Sequence, residues 1–210
     1  MTRSQLNLKL AVLLCILLVS FTTASSNISK VYIVFSNHFD CGYTLNLNGS
    51  TSAAVINQYF HEHFPRAIRT ANEARSNKGH PYKWMTQSWL IDTYHHCNTT
   101  RIKGVVCPNA SAIASFDSAV KRGDINYHAF PFNAEPEMYT AELFDAAINS
   151  THRLDQYYGH RTRRTLSQRD VPGLTRNAIP LLANRGIRAV SVGYVSIFLF
   201  VSALLISPSL

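Results

Sequence analysis

The chain has no low-complexity tract and no internal repeat in its 210 residues, which excludes solenoids, propellers and linker-like disorder. Acid is scarce: 12 Asp and Glu stand against 20 Lys and Arg, a formal charge of +8. Such an excess raises the question of nucleic acid as a partner. The densest basic run, Arg161 to Arg164, is short and has no aromatic platform beside it, so nucleic acid is excluded and the run reads as a solvated loop or a proteolytic site. The N-terminal segment also lacks an apolar run long enough to span a bilayer, since Leu10 to Phe21 is about a dozen residues.

What that run does fit is a leader. Arg3 and Lys9 precede it and the small residues Thr22 to Ser26 follow, so residues 1–25 read as a signal peptide cleaved near Ala24 or Ser25. The expected location is the secretory pathway, secreted or lumenal. Asn-x-Ser/Thr sequons at Asn27, Asn48, Asn98, Asn109 and Asn149 agree with a glycoprotein. Cysteine is sparse as well: Cys15 leaves with the leader, and Cys41, Cys97 and Cys107 remain. Cys97 and Cys107 close a polar loop next to two sequons and are expected to bridge in an oxidising lumen. Cys41 is then the leftover thiol and is expected to pack as a small buried hydrophobe.

From Lys30 to Gly193 strand-like and helix-like stretches alternate, which predicts an α/β fold with a parallel sheet. The strand-like runs are Val31–Phe35, Tyr82–Thr86, Asp124–Phe130, Thr165–Arg169 and Ile187–Val192. Helices are expected from about Ala53 to Ser76, Ser111 to Arg122, Pro136 to Tyr158 and Thr175 to Asn184, with Gly123, Gly159 and Gly186 as stops.

In parallel α/β folds the loops after the strands carry the chemistry. Two such loops hold His38-Phe39-Asp40-Cys41-Gly42-Tyr43 and Asp170-Val171-Pro172-Gly173. His38 and Asp40 are two apart, so on extended backbone they face the same way, and with Asp170 they form the expected ligand set of one metal ion. Cys41 has the opposite parity. His128, Glu135 and Glu137 are further strand-end candidates, although carboxylates flanking Pro136 also suit a helix start. The stretch Ala129 to Glu135, with Trp89 and Tyr43, supplies aromatic walls and polar groups of the kind that hold sugars. His61, His63, His95 and His96 read as surface residues.

The first motif, the later Asp-x-Pro-Gly, and Ala178 to Ile187 together resemble the N-terminal catalytic domain of family 38 glycoside hydrolases, the α-mannosidases. The resemblance implies a seven-stranded (β/α) barrel of the glycoside hydrolase/deacetylase type, of which residues 30–193 would be the N-terminal part. It also implies zinc held by His38, Asp40 and Asp170, with Asp170 as the retaining nucleophile and a carbohydrate as substrate. Tyr43, Trp89, His128 and Glu135 are the expected substrate-binding residues. Phe39 and Tyr43 depart from the family pattern. The family's acid/base and its fourth ligand, a histidine, lie beyond the resemblance, so this chain is expected to be inert in catalysis. The opposing reading is a non-catalytic glycan-binding remnant, secreted or membrane-anchored. A polysaccharide deacetylase would need adjacent aspartates and a His-x-x-x-His, and neither is present. The apolar tail, residues 194–210, has three open readings: a membrane anchor without a basic flank, a strand plus buried helix, or read-through of a truncated gene.

Overall fold

The computed structural model describes residues 35–39, 41, 52–78, 81–163, 165–171, 173–193 and 202–205, all within one unit, Val34–Leu210. The signal peptide, most of the first strand-like run, Asp40, Tyr43, the sequons at Asn27 and Asn48, and most of the tail lie outside the described residues.

Strand and helix alternate as the periodicity predicts. β1 (Phe35–Ser36), β2 (Trp84–Thr86) and β3 (Ile125–Tyr127) pair in parallel in that order. β4 (Thr165–Arg169) pairs in parallel with β5 (Ala189–Gly193), and β6 (Ser202–Leu205) adds to β5 antiparallel. The Ala129 amide donates to the Thr165 carbonyl at 2.9 Å, tying the chain just past β3 to the start of β4. The described strands form two three-stranded sheets, mostly parallel, and no seven-stranded barrel is seen among the described residues.

The helices explain themselves locally. A long helical segment runs as α1 (Ser52–Gln58), a π-helical turn (Tyr59–His63) and α2 (Phe64–Lys78). Pro65 accounts for the turn: it has no N–H to give the carbonyl four residues back, and its ring would strike that carbonyl in regular α geometry. α4 (Ala110–Arg122) and α5 (Ala141–Tyr158) are capped by Asn109 and Thr140 side chains, which accept from Ala112 N at 2.8 Å and Leu143 N at 3.2 Å. Both end where Gly123 and Gly159 take φ of 78° and 67°, left-handed turns that glycine adopts without strain. Pro136 opens only a short 3₁₀ turn, Pro136–Met138, and α5 begins afresh at the Thr140 cap. α3 (Ser88–His95), which the sequence reading left unassigned, and α6 (Ala178–Asn184) complete the set.

Two apolar cores follow. Phe60, Phe64, Tyr94, Phe116 and Ile125 anchor one, under the first sheet, while Phe130, Phe144, Ile148, Leu166 and Leu182 anchor the other. Cys97 and Cys107 are bridged, and their loop is clamped to α1 by Asn57, which donates to Gly104 O at 2.9 Å and accepts from Val106 N at 2.8 Å.

Two expectations change, and part of the tail can be placed. His95 is not solvated: its side chain is 10% exposed and its Nε2 lies 2.9 Å from both Asp117 and Tyr158, a link between α3, α4 and α5. Arg163 is not part of a solvated loop, because its guanidinium lies 4.2 Å over the Tyr127 ring and its Nε is 3.2 Å from the buried Asp155. In the tail, Ser202–Leu205 is a strand, and no helix among the described residues is long and apolar enough to cross a membrane.

Candidate functional site

The carboxyl ends of β1 to β4 gather the polar residues that chemistry would use. Asn37 N donates to Met85 O at 3.3 Å, which keeps the segment after β1 alongside β2. Tyr59, in the π-helical turn, donates its hydroxyl to the His38 carbonyl at 3.2 Å. His38 Nε2 then lies 3.3 Å from Asp170 Oδ2, at the end of β4 and 132 positions later in the sequence.

Asn133 joins the parts. Its Oδ1 accepts from Arg169 N at 3.2 Å, and its Nδ2 lies 3.3 Å from His38 Nδ1. An amide nitrogen can only donate, so Nδ1 of His38 is the acceptor and the neutral ring carries its proton on Nε2, facing Asp170. Asp170 itself has φ 62°, and among the described residues it is the one non-glycine with positive φ. Left-handed backbone is unfavourable for a residue with a Cβ, though aspartate tolerates it better than most.

Beside this pair runs a groove of about 420 Å³, walled by Phe39, Trp89 and Phe132 and edged by Ser52, Gln87 and Asn133. Phe39 and Trp89 rings are 5.9 Å apart, and Trp89 N donates to Pro131 O at 3.1 Å, holding α3 against the loop that bears Phe132. Cys41 lines the groove too and packs against the core, half-buried rather than buried as expected. Burial pushes its thiol pKa up, against a smaller pull from a hydrogen bond with Ser52. Gln87 and Asn133 also line a second, inner cavity of about 10 Å³, together with Asn37, Thr86, His128 and Arg169.

The structure thus brings together His38, Asp170 and, through Asn133, the groove that contains Trp89. His128 faces the inner cavity instead. It is 6% exposed, its Nδ1 accepts from Phe130 N at 3.3 Å, and burial lowers its pKa to about 4, so it is neutral with the proton on Nε2. Glu135 is exposed and lines neither cavity. Asp40 and Tyr43 lie outside the described residues. No three His, Cys, Asp or Glu side chains converge among the described residues, so His38 and Asp170 stand there as a pair.

Zinc can be tested against that pair. Tetrahedral Zn–N and Zn–O bonds of about 2.0–2.1 Å set the two donors roughly 3.3 Å apart, and His38 Nε2 and Asp170 Oδ2 are separated by 3.3 Å. The spacing of these two donors is compatible with a shared metal ion and equally with the hydrogen bond between them. Asn133 favours the metal-free tautomer, because a ligating Nε2 needs Nδ1–H to donate outward and Asn133 offers Nδ1 a donor.

Sequence reasoning missed Asn37, Thr86, Gln87 and Arg169, and named Asn133 only as part of the polar stretch Ala129 to Glu135. Their one signal is position: each lies at or just after the carboxyl end of a strand or in the loop that follows.

No family model matches the chain. No curated protein matches it either. Among solved structures the chain is similar to a 4-alpha-glucanotransferase from Thermococcus litoralis, at 14% identity and a TM-score of 0.50 over 76% of this chain. That overlap spans 22% of the neighbour's length, and the likeness is one of fold.

Proposed function

We propose that the chain carries the carbohydrate-binding face of an α-mannosidase-like glycoside hydrolase site, on the N-terminal part of a β/α barrel. The observation that carries the reading is the meeting of His38 with Asp170 at 3.3 Å, on a left-handed Asp170, beside a groove with three aromatic walls. Strain of this kind persists where the surroundings hold a residue for a task. Aromatic faces with planar amides at their edge suit sugar rings and their hydroxyls. The similar fold of a 4-alpha-glucanotransferase agrees with a carbohydrate as ligand.

Zinc held by His38, Asp40 and Asp170 would supply a Lewis acid that clamps vicinal sugar hydroxyls. The chain's own residues do the rest. Asn133 contacts His38 and the Arg169 amide at the end of β4, which holds the His38–Asp170 pair next to a wall of the groove. A retaining reaction also needs an acid about 5–5.5 Å from the nucleophile. Of the two carboxyl groups that such a reaction needs, the resemblance assigns Asp170 alone to these residues, and the activity proposed for them is glycan binding. The bridged Cys97–Cys107 pair suits the oxidising secretory pathway that the leader and sequons imply.

Equilibrium dialysis with zinc, followed by turnover assays on p-nitrophenyl α-mannoside, tests this. Expected are one zinc per chain, at least a tenfold loss of zinc affinity in Asp170→Asn, and no hydrolysis. Wild-type protein that takes up neither zinc nor methyl α-mannoside contradicts the proposal.

A further inference from the structure

The inner cavity carries an unresolved polar account. Four residues that line it carry five buried side-chain atoms with no hydrogen-bond partner: Asn37 Nδ2 and Oδ1, Thr86 Oγ1, Gln87 Oε1 and Arg169 Nε. Thr86 and Gln87 are 1% and 3% exposed, so water outside cannot serve them. Buried polar atoms are nearly always satisfied, and each one left unmade costs about 1–3 kcal/mol. Five in one place mark the seat of a polar guest.

The guest's chemistry can be read from the atoms around it. Asn37 Nδ2 and Arg169 Nε donate, Asn37 Oδ1 and Gln87 Oε1 accept, and the Thr86 hydroxyl does either. An anion would face two acceptors and a cation would face a guanidinium. A neutral hydroxyl serves both kinds of partner, donating one hydrogen bond and accepting up to two, and so satisfies up to three of these atoms. The volume of about 10 Å³ admits one such oxygen and nothing larger. Gln87 and Asn133 line both this cavity and the groove, so the cavity adjoins the groove that Trp89 and Phe132 wall.

We propose that the inner cavity is a recognition socket for one sugar hydroxyl, held by water when the groove is empty. The proposal rests on the carbohydrate reading of the groove and adds to it a rule of selectivity. A ligand lacking the seated hydroxyl leaves Thr86, Gln87 and Arg169 unpaired and binds worse, whereas loss of a hydroxyl that faces solvent changes little.

The test is competition saturation-transfer NMR on the full chain with methyl α-D-mannoside and its 2-, 3-, 4- and 6-deoxy derivatives. Expected is a loss of at least about tenfold for one deoxy sugar, with the other three within about twofold of the parent. Thr86→Val, which removes one partner at constant shape, should bring the parent sugar down to that deoxy sugar. The wild-type series decides the matter even where the variant does not fold. If all four deoxy sugars bind as the parent does, the groove reading stands and the socket is refuted. If the parent does not bind, the carbohydrate reading fails and takes the socket with it. A crystal structure with the same enclosed water in free and sugar-bound protein makes the cavity a resident water site and overturns the proposal.

Discussion

Replacing Asp170 by glycine and by alanine separates what its backbone needs from what its side chain does. At φ 62° a Cβ is penalised by about 1–2 kcal/mol, less for aspartate, and glycine escapes the penalty. The carboxylate's pair with His38 is partly open to solvent, 44% exposed on the Asp170 side, so its loss is worth only about 0.2–1 kcal/mol. Glycine also loosens the unfolded chain by about 0.4–1 kcal/mol. These opposed effects leave Asp170→Gly within about 0.5 kcal/mol of wild type. Asp170→Ala keeps the Cβ, loses the pair and falls about 1 kcal/mol below Asp170→Gly, a difference of roughly 2–4 °C in melting temperature for a chain of this size. Urea unfolding followed by circular dichroism measures both. In right-handed or extended backbone the order reverses, with alanine the more stable by about 0.5–1 kcal/mol. An alanine variant as stable as the glycine variant therefore refutes the strained geometry. Both variants should lose zinc and sugar binding, so the glycine variant pairs near-normal stability with an empty site, as expected where strain serves function.

Burial lowers the His128 pKa from 6.5 to about 4, so the unfolded chain takes up a proton more readily than the folded one. Its stabilising effect is full above pH 6.5 and falls by up to about 3 kcal/mol on going down to pH 4. Urea midpoints should show this loss in wild type and less of it in His128→Gln. Reducing the Cys97–Cys107 bridge, which closes a loop of sequence separation 10, should lower stability by about 2–3 kcal/mol, read as a drop in melting temperature with dithiothreitol. Asn133→Asp would give His38 Nδ1–H an acceptor while still accepting from Arg169 N. Zinc affinity by competition titration should then rise roughly tenfold or more, and an unchanged affinity means that His38 does not bind the metal through Nε2.

What could be read in the sequence was local. Gly123 and Gly159 end their helices because the left-handed cap suits glycine, and the Thr165–Arg169 strand is bounded as its pattern indicates. α3 escaped because it follows β2 directly, and its N-cap, Gln87, makes no capping hydrogen bond. His95 and Arg163 looked like surface residues because their partners, Asp117, Tyr158, Tyr127 and Asp155, come from distant segments. In the site, His38 and Asp170 were legible as types that bind metal or attack carbon after a strand. Asn133 was legible only as one polar group of the stretch Ala129 to Glu135, since its role lies in the two neighbours it joins, His38 and Arg169. Asn37, Thr86 and Gln87 had no signature, since their meaning comes from sharing one cavity.

The most direct test of a sugar site in this groove is intrinsic fluorescence. The chain has two tryptophans: Trp84 is 8% exposed in the core, and Trp89 lines the groove. Titration with methyl α-D-mannoside in the presence of zinc should change the emission saturably in wild type and leave Trp89→Phe silent. An equal change in both proteins, or none in wild type, would contradict the account.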